Sequence, residues 1–126
     1  VSGFTLIELL IVMSLIVVLA GIGLATHANS QTRAREAVLK EDLFRLRDSI
    51  DQYYADKNEY PAALDALVTD RYLRALPVDP FTNSPDTWQT TMSEIDASNP
   101  SAQAGIYDVK SGSDRTALDG TQYADW

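Results

Sequence analysis

From Leu6 to Ala25 the chain is built almost wholly of Leu, Ile, Val, Ala, Gly and Met, with one charged residue, Glu8, near its start. About 20 apolar residues at 1.5 Å rise span a hydrocarbon core of about 30 Å, so the run predicts a transmembrane helix rather than a buried core helix. A secretory signal peptide is the rival reading. Its apolar stretch would be about half as long and would end at a small-residue cleavage site, which Ala20, Gly21, Gly23 and Ala25 imitate, yet the helical pattern runs straight on. A carboxylate at the edge of a hydrocarbon core costs a few kcal/mol, so Glu8 calls for a partner that cancels its charge.

Beyond Ala28 the polarity changes while the helical period persists. Leu39, Leu43, Leu46, Ile50 and Tyr53 recur at spacings of four and three, one stripe of an amphipathic helix, and Phe44 and Tyr54 widen it. Glu36 stands four before Lys40, Glu41 four before Arg45 and Arg47 four before Asp51, pairs that read as a solvated face worth a few tenths of a kcal/mol each. Nothing interrupts the pattern until Asn58 and Pro61, which predicts one helix from about Phe4 to about Lys57, roughly 80 Å long. Its first half needs lipid or other copies of itself around it. Its second half needs a small domain folded against the stripe.

The remaining chain supplies that domain. A turn at Pro61 leads into a short helix carrying Leu64, Leu67 and Val68, then a loop stopped by Pro77 and Pro80. Asp86 to Thr91 and Gly105 to Val109 read as short strands, and the polar stretch between them as an exposed loop. The tail from Lys110 to Trp126 is rich in Gly, Ser and Asp, which favours turns.

A formal net charge of −8, with no basic stripe, argues against a nucleic-acid partner. Absence of cysteine excludes disulfides, thiolate zinc sites and iron–sulfur clusters. The single histidine, His27, lies at the end of the apolar run and reads as an interfacial side chain; no Ser/His/Asp arrangement can be completed without it. Tyr53, Tyr54, Tyr60 and Tyr72 read as core. One constellation remains. Ser111, Asp114 and Asp119 offer hard oxygens on a tail bent by Gly112 and Gly120, which suits Ca²⁺; the alternative is an Asx-turn loop satisfied by its own backbone. Burial alone would barely order a tail whose large apolar residues are Leu118, Tyr123 and Trp126, at a conformational cost of about 1 to 2 kcal/mol per residue.

The segment GFTLIELLIVMSLIVVLAGIG resembles the N-terminus of the type IV filament superfamily, the pilins and pseudopilins, in which a Gly precedes a Phe and a Glu follows four residues after it. Here these are Gly3, Phe4 and Glu8. Later stretches, YPAALDALV, LPVDPFTNSPDTWQ and GIYDVKSGSD, are similar to the G-type pseudopilins of type II secretion systems. The resemblance implies cleavage after Gly3 by a prepilin peptidase, N-methylation of the Phe4 amine, and a meeting in the filament between Glu8 of one subunit and the Phe4 amine of a neighbour. It also implies a calcium site in the tail, though Asp119-Gly120 stands where G-type tails usually hold two adjacent acids.

These readings together predict an α+β, ladle-shaped, pilin-like subunit with a long N-terminal helix packed by a small antiparallel sheet. Residues 1–3 are the remnant of a leader, 4–28 the transmembrane and assembly half, and 29–126 a periplasmic or extracellular domain. The expected role is structural and not enzymatic. The subunit would be stored in the bacterial inner membrane as a single-pass protein and polymerised into a helical homo-oligomer that drives export, aided by an inner-membrane assembly platform and minor pseudopilins. Two alternatives stay open: a surface pilin for adhesion, motility or DNA uptake, and a membrane-anchored binding domain that never polymerises.

Overall fold

The computed structural model describes residues 3–95, 97–98 and 103–126. In chain order these form helix α1 (Leu6–Lys57), helix α2 (Asp65–Thr69), strands β1 (Gln89–Met92) and β2 (Ile106–Lys110), and a 3-10 turn at Tyr123–Asp125. The architecture is α+β, and the chain divides into two compact units, one ending at Ala34 and the other Arg35–Trp126.

In the first unit α1 is apolar on every side, and its most apolar 18-residue window has a mean hydropathy of 2.7 with no part of it buried. By length and composition this helix is long and apolar enough to cross a membrane. Two of its hydroxyls are turned back on the helix itself. Ser14 Oγ donates to the Leu10 carbonyl at 2.8 Å and Thr26 Oγ1 to the Ile22 carbonyl at 3.0 Å, so neither needs water in a hydrocarbon surrounding. At the polar end His27 Nε2 lies 3.1 Å from Gln31 Nε2, an exposed side-chain pair one turn apart.

In the second unit the expected stripe is the core. Leu39, Leu43, Leu46, Ile50 and Tyr53 are all buried, and they pack with Leu67 of α2, Trp88, Ile106 and Val109 of β2, Ala117 and Tyr123. Burying a Leu, Ile or Val side chain contributes about 1.5 to 3 kcal/mol, so this cluster is the main force holding the tail and sheet to α1. The two residues expected to widen the stripe are placed otherwise. Phe44 is 65% exposed, because at about 100° per residue it lies about 140° from the stripe's centre, on the opposite face. Tyr54, about 60° off centre, stays at the surface and stacks on Tyr60 with ring centroids 4.5 Å apart.

β1 pairs with β2 antiparallel, Gln89 opposite Lys110 and Met92 opposite Ile106, with an irregularity between Thr91 and Met92. Both strands begin later than the sequence pattern suggests. β2 starts at Ile106, whose N–H donates to the Pro61 carbonyl at 2.8 Å; the preceding Gly105 passes so close to the Tyr60 backbone that a Cβ there would collide with it. The tail, expected to be turns alone, also holds a bridge between Thr116 and Gln122 and the 3-10 turn that seats Tyr123 in the core. Of the expected leader remnant, residues 1 and 2 lie outside the described residues, as do 96 and 99–102 of the expected loop.

Candidate processing and assembly site

Helix α1 starts at Leu6 because Thr5 and Glu8 cap it. Thr5 Oγ1 accepts the Glu8 N–H at 3.2 Å, and Glu8 Oε2 accepts the Thr5 N–H at 3.4 Å, a reciprocal capping box. Two of the donors that a helix start leaves unpaired are thereby satisfied. The carboxylate also lies at the positive end of the helix dipole, which favours a negative charge. No Lys, Arg or His forms an ion pair with Glu8 among the described residues. Among the described residues the lone acid of the apolar run is thus hydrogen-bonded within its own subunit and has no oppositely charged partner.

Ahead of the cap the chain is open. Phe4 is 86% exposed. A Cβ on Gly3 would meet nothing within 4 Å among the described residues. Among the described residues nothing crowds this position, so packing there does not call for glycine.

Two of the three predicted tail residues are held by separate partners. Ser111 is fully buried, and its hydroxyl donates to Asp79 Oδ2 at 2.5 Å. Asp79, also fully buried, accepts the Phe81 N–H on its other oxygen at 2.9 Å. Asp119 Oδ1 accepts both the N–H and the hydroxyl of Thr121, at 3.0 and 2.6 Å, an Asx turn that holds its carboxyl below the usual range. Asp114 makes no hydrogen bond or ion pair among the described residues. Among those residues no group of three His, Asp or Glu is placed to hold a metal ion.

The prokaryotic N-terminal methylation motif matches residues 1–24. The type II secretion system core protein G of Pseudomonas aeruginosa is 33% identical, over 65% of this chain and 69% of that protein. The chain belongs to the type II secretion system core protein G family. Core protein G of Aeromonas hydrophila is 30% identical over 65% of this chain and 68% of its own, and that of Klebsiella pneumoniae 30% identical over 63% and 68%. No solved structure matches. As a core protein G family member, the chain has its methylation motif laid over Gly3, Phe4, the Thr5–Glu8 cap and the apolar helix to Leu24.

Sequence reading passed over three residues in this core protein G fold. Asp79 sits between Val78 and Pro80, and an acid in a proline-bounded loop was its only signal. Glu36 and Arg47 were read as surface partners of Lys40 and Asp51. Instead Glu36 Oε1 accepts from the Leu118 N–H and the Tyr123 hydroxyl, at 2.9 and 2.8 Å. Arg47 donates to Asp108, the Val109 carbonyl and the Trp126 carbonyl, at 2.9, 3.0 and 2.9 Å. Of the three expected helix pairs, Glu41–Arg45 forms as an ion pair, at 3.1 Å.

Proposed function

We propose that this chain is the major pseudopilin of a type II secretion system, a structural subunit that polymerises to drive protein export. The observation that carries the reading is the exposed apolar half of α1 headed by one acid whose charge has no counter-ion among the described residues. Cleavage by a prepilin peptidase between Gly3 and Phe4 would free a cationic amine one helical turn ahead of Glu8, and methylation would keep it cationic. Two opposite charges a few Å apart in low dielectric attract strongly, and each is costly when left alone. Glu8 of one subunit meeting the Phe4 amine of its neighbour therefore favours assembly and sets the axial register. Before assembly the subunit is stored in the inner membrane with its apolar helix in lipid. An assembly platform in that membrane and minor pseudopilins complete the machine, and the filament grows into the periplasm.

Intact-mass measurement of the membrane-extracted protein tests the first step. The expected mature chain begins at a methylated Phe4; a mature chain beginning near Ala25 or later would mean a secretory signal peptide and would overturn the reading. Deletion of the gene is expected to trap secreted proteins in the periplasm. Loss of surface fibres with secretion intact would favour a surface pilin instead.

A further inference from the structure

The family resemblance leads to calcium as the agent that orders the tail, yet the side chains here are committed elsewhere. Ser111 and Asp119, two of the three candidate ligands, are engaged by Asp79 and by Thr121. Next to Asp114, the third, stands a fixed positive charge, Arg115, whose guanidinium lies 5.9 Å from the Phe81 ring centroid. The loop also closes on itself. The Tyr123 N–H donates to the Arg115 carbonyl, the Gly120 N–H to the Ala117 carbonyl, and the Ala117 N–H to the Thr121 carbonyl. The donor set as arranged does not fit a calcium ion, which takes six to eight oxygens converging on one point.

What the tail has instead is one flank of α1. Glu36, Lys40 and Arg47 fall within about 40° of one another around the helix axis, at the rim of the buried stripe. Glu36 holds Leu118 and Tyr123. Lys40 Nζ lies 4.8 Å from the centre of the Trp126 ring. Arg47 holds Asp108, Val109 and the Trp126 carbonyl. One row of three charged side chains thus grips the tail near its middle and at its last residues.

We propose that this charged flank of α1 replaces a bound divalent ion, so that the order of the tail from Thr116 to Trp126 is independent of calcium. Amide hydrogen exchange on the full chain in detergent, read by mass spectrometry for that segment, tests it. In wild type the exchange is expected to agree within twofold between millimolar calcium and EGTA, and Asp114→Asn is expected to leave it unchanged. Glu36→Gln and Arg47→Gln are expected to speed exchange of the tail at least tenfold, with no rescue by calcium, while the α1 amides from Leu43 to Ile50 keep their protection. Tenfold faster exchange of the wild-type tail in EGTA, or an equal loss in Asp114→Asn, would overturn the proposal. If either flank variant unfolds as a whole, the wild-type comparison and Asp114→Asn decide the matter alone. Because the measurement is made on unassembled subunits, either result leaves the filament reading where it stands.

Discussion

Thr5 and Glu8 satisfy each other at the head of α1, the hydroxyl of one taking the amide of the other and the carboxylate returning the bond, at 3.2 and 3.4 Å. The pairing gives Glu8 two states. In a lone subunit its carboxylate serves as a helix cap, and under the proposed assembly the same oxygens would turn to a neighbour's amine at the cost of one backbone hydrogen bond.

Replacing the hydroxyl isolates the first state. Thr5→Val keeps the shape of the side chain and removes the cap, which costs about 1 kcal/mol. The Glu8 amide in detergent-solubilised subunit should then exchange about fivefold faster, at about 1.4 kcal/mol per factor of ten, with membrane insertion unchanged. Equal exchange in the two proteins would mean that the capping box does not persist outside the membrane.

Replacing the acid isolates the second. Glu8→Leu adds hydrophobicity to the apolar helix but removes the counter-ion proposed for the Phe4 amine, so the subunit should accumulate normally in the membrane while sheared filaments disappear from electron micrographs. Glu8→Asp keeps the charge on a shorter arm and should retain part of the assembly. Normal fibres from the leucine variant would sink the charge-pairing account.

Much of this was legible because it is periodic. A stripe at spacings of three and four reports which face of α1 is buried, and all five of its members are in the core. Glu36 and Arg47 were misread because a pair at i and i+4 records only what lies along the helix. Both residues stand about 60 to 80° from the stripe's centre, where side chains reach over the rim to whatever folds against it, and their partners lie 61 to 87 positions away in sequence. Only the fold brings those positions together. The bond between Asp79 and Ser111 is hidden for the same reason, the two being 32 positions apart.

Asp42 lies on the opposite rim, 9% exposed and with no hydrogen bond from any described residue. Burial pushes its carboxyl up from the ordinary 3.8, Arg45 pulls it down, and Asp79 and Glu41 push it up further. A carboxyl raised in the folded state contributes stability that is fully present below 3.8 and is lost as pH rises through the folded value. Asp42→Asn should therefore melt higher than wild type at pH 7, and the two curves should converge as pH falls below about 4. A lower melting point for the variant at neutral pH would show that the ionised carboxylate is satisfied, and would reverse the assignment.

Tyr123 sets the alkaline limit. Its ring is 1% exposed, stacked on Phe81 at 3.9 Å between centroids, and its hydroxyl donates to Glu36 at 2.8 Å. Burial, then that hydrogen bond and the Glu36 charge, push the phenol up from 10.0 to about 12, against a smaller pull from Arg115. Of the six tyrosines in the chain, this one should ionise near 12 in a spectrophotometric titration of the folded subunit. The linkage runs in one direction. Below pH 10 the phenol is neutral in both states and its contribution is whole; above it the unfolded chain ionises first, so stability falls as pH rises through the folded value. Tyr123→Phe should abolish the late titration step and flatten the stability curve between pH 10 and 12. At neutral pH the same variant should cost about 1 kcal/mol, because Glu36 keeps the Leu118 amide and sufficient exposure to water to replace the lost donor. Glu36→Gln should move the step down without removing it, since burial is the larger cause. A step near 12 that persists in Tyr123→Phe would assign it to another ring and break the link between Tyr123, Glu36 and the alkaline loss of stability.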